Sequence, residues 1–449
     1  MEMDMTQGKP MPLILKFTVP LVIGNIFQQL YNMADTIIVG RYVGAGALAA
    51  VGSTGTIMFL ITGFSQGITA GFTVLTSQRY GARDQDGVRR SVANGILLAI
   101  FVTLLLTVAG VCSMEALLRL MNTPADIFQD AYDYIIVICA GIGANVFYNL
   151  LSAYLRSVGN SQAPLCFLVL SACLNVVLDL VFIIYFNMGV AGAAWATNLS
   201  QVISALLCLI YMFARVPVLR PEKKHWRLNR RDSRIQITIG IPMAFQFAIT
   251  ASGTMIMQAA INLFGSEAVA AYTAAGKLQN LVTQGMVAMG QTMATYGGQN
   301  YGKGDLNRIR AGVRAALLAE FVYSIAAAIC VCLLLRPSIG LFFSGDVDVN
   351  VMLPWARTYI YMCALFFIPL SVIFIFRNIM QGCGYGFLPM MGGVSELAAR
   401  LVTAAIAMRL LSYPLACFCD PAAWVAAGLF TGVSYLHVMR DLKRKMGKA

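Results

Sequence analysis

The sequence predicts an all-α polytopic membrane protein: twelve transmembrane helices in two pseudo-symmetric six-helix lobes around a central cavity. Three observations predict it. The 449 residues are 59% hydrophobic and only 12% charged, with a mean hydropathy of +0.73, whereas a soluble domain carries about 25% charged residues. The apolar stretches recur at lengths that cross a bilayer, which takes about 20 residues. The two halves of the chain also look alike.

The spans read as 12–38, 47–76, 92–118, 133–155, 163–186, 190–213, 236–263, 268–297, 312–335, 355–380, 387–411 and 420–438. Of the 32 Lys and Arg residues, 24 fall on the first tail and on alternate connections, from Lys9 and Lys16 to Arg440, Lys443, Arg444, Lys445 and Lys448. The positive-inside rule then places both termini in the cytoplasm of a multi-pass plasma (inner) membrane protein. The net charge of +12 is thus a topology signal with secondary contact to anionic lipid, and nucleic acid is not an expected partner. No charged segment with a short apolar core and a small-residue cleavage site opens the chain, so the first helix is expected to stay in the mature protein.

Residues 215–234 form the one long hydrophilic connection and divide the helices six and six. The expected organisation is an N-terminal lobe over 1–214, a basic cytoplasmic linker over 215–234, a C-terminal lobe over 235–438 and a basic tail over 439–449. Four landmarks recur in order: Pro20 with Pro242, GAGALAA (44–50) with GSEAVAA (265–271), Gln78–Asp84 with Gln299–Asp305, and Arg156–Gly159 with Gln381–Gly384. Their offsets run from 221 to 225. With an even number of helices per half, both repeats keep one orientation, related by an axis along the membrane normal with a cavity between them.

Taken in order, the first span is apolar yet carries Pro20 and Asp35. Its polar residues Asn25, Gln28, Asn32 and Asp35 fall at steps of three, four and three, one stripe on a helix. An intramembrane charge is costly and faces a bundle interior or a wet cavity. The second span, GITAGFTVLTSQRYGARD at its end, is rich in small residues that let helices approach closely. The fourth carries Tyr134, then Asn145, Asn149, Ser152 and Arg156 on one face; the fifth carries Ser171, Asn175 and Asp179, every four residues; the sixth carries Thr197, Gln201 and Ser204. From the span ends, Asp35, Asp179 and Thr197 all lie about 10 Å below the outer surface at about 1.5 Å of rise per residue. Two carboxylates, an amide and a hydroxyl at one depth suit a small hard cation, sodium or a proton. Two acids in one low-dielectric site do not both stay charged without a cation between them.

The second half departs from this pattern, with Met257 opposite Asp35, Arg400 opposite Asn175 and Ala404 opposite Asp179. Its polar positions are Gln246, Thr250 and Gln258 in the seventh span, Lys277, Asn280, Gln284 and Gln291 in the eighth, and Glu396 with Arg400 in the eleventh, four apart and expected to pair. Asn25, Gln28, Asn32, Asn145, Gln258, Gln284, Glu396 and Arg400 are the candidate lining of a substrate cavity. Glu320 and Arg377 are assigned no role. The eleven cysteines, among them Cys139, Cys166 and Cys173, read as small buried hydrophobes. With only His225 and His437, both outside the spans, neither a His-rich metal site nor a His-based triad is available.

These residues resemble the multidrug and toxin extrusion (MATE) family across nearly the whole chain. The resemblance rests on Pro20, Asn25 and Asp35-Thr-Ile-Ile-Val-Gly40 followed by GAGALAAVG, on Gln78 with Tyr80-Gly81, on Asn175 with Asp179, and on the repeated half. It implies alternating access and export of cationic or amphipathic organic compounds against an inward flow of Na+ or H+, with no other cofactor and a monomeric state. Carried over by position, the cation-coupling residues, and the sodium ligands if sodium is the ion, are Asp35, Asn175, Asp179 and Thr197, with Tyr134 beside them; Pro20 falls on the bending proline. Another branch of the family keeps an acid pair in the second lobe, where this chain has Gln258 and a lone Glu396. The alternative is a flippase for lipid-linked saccharides, a distant relative with twin lobes and a more cationic cavity. A membrane enzyme is not expected, because no histidine or activated serine accompanies the acids.

Overall fold

The computed structural model describes residues 3–121, 123–342 and 349–446, so Lys448 of the predicted basic tail lies outside the described residues. The described chain is helical throughout, without a strand. Its elements are α1 (Pro10–Tyr42), α2 (Ala45–Ser53), α3 (Gly55–Gly81), α4 (Gln85–Leu120), α5 (Phe128–Ala140), α6 (Ile142–Ser157), α7 (Gln162–Leu180) and α8 (Gly189–Arg215). The second half follows with α9 (Arg230–Asn262), α10 (Ser266–Lys303), α11 (Leu306–Phe342), α12 (Val349–Leu365), α13 (Phe367–Gly382), α14 (Phe387–Leu410), α15 (Tyr413–Cys417) and α16 (Cys419–Met446).

Among the described residues, nine stretches are long and apolar enough to cross a membrane singly, and α5–α6 and α12–α13 qualify as bent pairs. The remaining predicted span, 268–297, lies in α10, which has the length but carries Lys277, Asn280, Gln284 and Gln291 along it. Each of the twelve predicted spans therefore has its helix or bent pair. The structure adds what periodicity did not show. The fourth span bends by 47° at Gly141 and the tenth by 51° at Phe366. Gly141 leaves room for Asn198, whose Nδ2 donates at 2.7 Å to the Val137 carbonyl, which also accepts from the Gly141 N–H at 3.0 Å, so α8 is tied to the chain at the bend. Pro369, in the first turn of α13, cannot donate to the turn before it. The second predicted span is also interrupted at Thr54, between α2 and α3.

The chain forms two compact units, Met1–Asp4 with Val19–Ala244, and Met5–Thr18 with Phe245–Ala449. The units thus depart from a simple six-and-six division: residues 5–18 pack with the second, and residues 215–244 with the first. Each changeover falls within two residues of a helix-interior proline, Pro20 in α1 and Pro242 in α9.

In the first unit, α3 meets the start of α9 backbone to backbone. A Cβ on Gly71 would come within 2.3 Å of Gly240 Cα, and one on Gly67 within 2.6 Å of the Met243 carbonyl. The small residues of the second span are this contact, a G-x-x-x-G face. Residues 215–234 form no loose linker. Val216 and Leu219 are buried. Asp86 at the start of α4 takes Lys224 Nζ at 2.8 Å and His225 Nε2 at 2.9 Å, and Arg89 pairs with Glu222. Buried Asp232 takes Arg90 Nε at 2.8 Å, with Arg79 Nη2 at 3.6 Å. In the second unit, Arg308 donates to the carbonyls of Met5, Gln7 and Gly8, and Lys303 to that of Thr6, so the segment before α1 is bound to the α10–α11 connection.

One predicted assignment of the cysteines is corrected. Cys139 is buried, but Cys166 and Cys173 are exposed. With Leu170 and Val177 they make an exposed apolar stripe on α7, at steps of four, three and four. The opposite stripe, Ser171, Asn175 and Asp179, is buried. In a spanning helix this polarity is inverted because lipid, not water, solvates the outer face.

Candidate functional site

The first unit brings the predicted acids together. Asp35 on α1 and Asp179 on α7 lie within hydrogen-bonding reach of each other. Asp179 and Asn175 are fully buried, Thr197 on α8 is 8% exposed and Tyr134 on α5 is 5% exposed. Asn175 Nδ2 donates to Thr197 Oγ1 at 3.3 Å. Tyr134 stands close enough to feel both carboxylates. Tyr31, one helical turn before Asp35, lies near Thr197 and the same two acids. It was missed in the sequence because the polar stripe was traced through its neighbour Asn32; the four-residue step from Tyr31 to Asp35 was the available signal.

The electrostatics of this group are one-sided. Asp35 Oδ1, Asn175 Oδ1 and both carboxyl oxygens of Asp179 are buried without a donor. All four are acceptors, and no basic side chain is among them. A proton shared by the two carboxyls, or a small cation among the four oxygens, satisfies them; two bare carboxylates do not. One turn beyond the polar residues lies an apolar cluster of Ile38, Val39, Ile183, Ala193, Ala194 and the Tyr134 ring. It excludes water from that side and keeps the local dielectric low. A π-helical turn, Val181–Tyr185, starts two residues after Asp179; such turns are frequent at functional sites.

The other predicted first-half positions separate. Asn25 Nδ2 is buried and unpartnered, whereas Gln28 and Asn32 are exposed. Asn145 lines a void of about 20 Å³ with Thr197, Asn198 and Gln201, room for about one water. Pro20 lies inside an α1 that continues through it; its ring leaves the Lys16 carbonyl without the usual helical donor.

The second unit holds a cavity of about 410 Å³. Gln258, Glu396 and Arg400 line it as expected. Gln284 does not: its amide turns back to the Asn280 carbonyl at 3.2 Å. Glu396 and Arg400 pair at 2.9 Å, but Glu396 is not a lone acid. Asp420, in the first turn of α16, accepts from Arg400 Nε and Nη2, both at 3.0 Å, and from the Tyr359 hydroxyl at 3.2 Å. It escaped notice because it is the first residue of the predicted span 420–438, where a carboxylate reads as a solvated helix end. Arg377 also lines the cavity, 8% exposed. Gln246, with its amide oxygen turned toward Arg377, accepts from Nε at 3.2 Å and Nη1 at 3.3 Å. Met257 and Ala404, which stand where the first half has its acids, are buried in the apolar core. Among the described residues no group of three or more His, Cys, Asp or Glu side chains is placed to hold a metal ion.

A repeated bundle of spanning helices, with an acid pair buried in one half and a charged cavity in the other, defines an integral membrane protein built to carry solutes. Comparison with known proteins makes this specific. The sequence matches the MatE family profile over residues 20–181 and 242–416. It is 28% identical to the "Probable multidrug resistance protein YpnP" of Bacillus subtilis, over 96% of this chain and 94% of that protein. It is 24% identical to the "Probable multidrug resistance protein NorM" of Thermotoga maritima, over 97% and 92%. A crystal structure of MATE in complex with MaL6 superposes with a TM-score of 0.91 at 22% identity, covering 98% of this chain and 99% of that one. The chain belongs to the MatE family of multidrug efflux transporters. Its relatives are transporters rather than enzymes, and the flippase alternative is not favoured.

Proposed function

We propose that this transporter exports cationic or amphipathic organic compounds by alternating access, in exchange for a Na+ or H+ taken up between Asp35 and Asp179. The observation that carries the reading is the cluster of four buried acceptor oxygens on Asp35, Asn175 and Asp179 with no donor among them. In a low-dielectric setting an uncompensated carboxylate pair is costly, so the cation-loaded form is favoured strongly over the empty one. Coupling requires the cation to bind one conformation better than the other, because equal affinity shifts nothing. Thr197 and Tyr31 supply further oxygens beside the acids, and Tyr134 closes the group on one side. The unsatisfied carbonyl before Pro20 supports bending of α1 as the motion that opens and closes the site. The concentration of basic residues on alternate connections supports cytoplasmic placement of both termini.

The test is transport of a fluorescent organic cation in proteoliposomes under an imposed sodium or proton gradient. Wild-type protein drives uptake against one of the two gradients. Asp35→Asn and Asp179→Asn each remove it while melting as folded protein in detergent. Gradient-driven uptake at wild-type rate in either variant contradicts the proposal.

A further inference from the structure

The cavity of the second unit has the opposite electrostatic character from the acid pair. Three bases line it, Lys277, Arg377 and Arg400, against two acids, Glu396 and Asp420. Both acids are already engaged by Arg400. Arg400, 4% exposed, still has Nη1 buried with no acceptor. That nitrogen lies against α9 where Gly253 has no side chain; a Cβ there would meet it at 2.6 Å. Gly253 stands between Thr250 and Thr254, which both line the cavity. Arg377 is held by the Gln246 amide oxygen, and the carboxylate that acts on it is Glu396, which Arg400 already takes. Arg400 thus keeps one guanidinium nitrogen without an acceptor, and Arg377 on the same cavity is met by a neutral amide rather than by a carboxylate of its own. Aromatic rings form much of the rest, with Tyr272 edge-on to Tyr359 at 4.8 Å and Phe374 and Trp424 also lining the space.

We propose that this cavity binds an aromatic organic anion, its carboxylate or equivalent group seated by Arg377 and Arg400 and its flat body against the rings. A guanidinium offers paired donors in the geometry of a carboxylate. A cationic ligand finds no bare carboxylate there and meets Arg377 and Lys277. At the repeat-related positions the bulk is exchanged: the first half has Tyr31 and Asn175, the second Gly253 and Arg400, at offsets of 222 and 225. The glycine is what admits the arginine.

This inference goes beyond the exchange reading and is tested by binding alone. The full-length protein in detergent is titrated calorimetrically with 1-naphthoate and, separately, with 1-naphthylmethylammonium. Saturable binding of 1-naphthoate is expected, undisturbed by the ammonium compound. Loss of one charge-assisted contact weakens binding about tenfold, and that is the expected effect of Arg377→Gln, in protein whose melting temperature is close to wild type. Asp35→Asn, which stops exchange under the proposed function, leaves 1-naphthoate binding unchanged. Absence of saturable 1-naphthoate binding at millimolar concentration, wild-type affinity in Arg377→Gln, or displacement by 1-naphthylmethylammonium overturns the proposal.

Discussion

At the scale of single residues, the four-residue step along α7 was the strongest message in the sequence. Asn175 and Asp179 share a buried stripe because an apolar helix in lipid hides its polar residues. Asp35, Asp179 and Thr197 were brought together by counting depth from the span ends, and the folded chain brings them together. What could not be read were partners supplied by other elements. Asp420 joins Arg400 only because α16 begins beside α14, and Arg377 faces a cavity that no periodicity reports. Tyr31 carries a residue-scale prediction. Its hydroxyl stands near Thr197 and the acids, so Tyr31→Phe removes one oxygen from the group. The coupling-ion concentration for half-maximal exchange is expected to rise about five- to tenfold, as for the loss of about 1 kcal/mol, with the maximal rate little changed. An unaltered half-maximal concentration would remove Tyr31 from the site.

At the scale of elements, all twelve spans were legible from hydropathy, since length and composition are set by the bilayer. The bends at Gly141 and Phe366 were not. They go with contacts from other helices, such as that of Asn198 to Val137, a residue 61 positions away. The clamp of residues 215–234 onto α4 was hidden for the same reason: its basic run reads as a solvated topology signal, whereas its Lys224 and His225 engage Asp86 and its Glu222 and Asp232 take Arg89 and Arg90. Outside the spans, Asp84 is held below the usual carboxylate range. Partial burial pushes it up, but the Gly87 N–H and the Arg79 guanidinium outweigh this. Its contribution is therefore present above the ordinary aspartate range and fades only as pH falls below it. The close approach of α3 to α9 gives a sharper test. Gly71→Leu forces the backbones at Gly71 and Gly240 apart and is expected to cost about 3 kcal/mol, read as a lowered melting temperature in detergent. Gly52→Ala, where an added Cβ meets nothing within 4 Å, serves as the control and is expected to melt with wild type. Equal melting of both variants would mean that the helices do not meet at Gly71.

At the scale of the whole molecule, the repeat explains why one chain holds two different polar sites. Duplicated landmarks preserve the helix plan, while the chemistry has diverged. The first half keeps Asp35 and Asp179 together without a base beside them, and the second places Met257 and Ala404 in its core and assembles Arg400, Glu396 and Asp420 around a cavity. The contact units were only partly visible in the sequence. The long hydrophilic connection marks the midpoint of the chain, but packing reassigns residues 5–18 and 215–244 near the two prolines. Hydropathy follows the chain and cannot see which neighbour a helix end packs against.

In the proposed exchange, Asp35 and Asp179 together hold one small cation that is given up for an exported organic cation. The direct measurement is the number of ions released when such a compound, tetraphenylphosphonium for instance, binds to the purified protein, followed with a sodium electrode and, in weak buffer, a pH electrode. About one sodium ion or proton per bound compound is predicted for wild type, and none for Asp179→Asn. Binding with no ion released by the wild type, or with the same release by Asp179→Asn, would contradict the account.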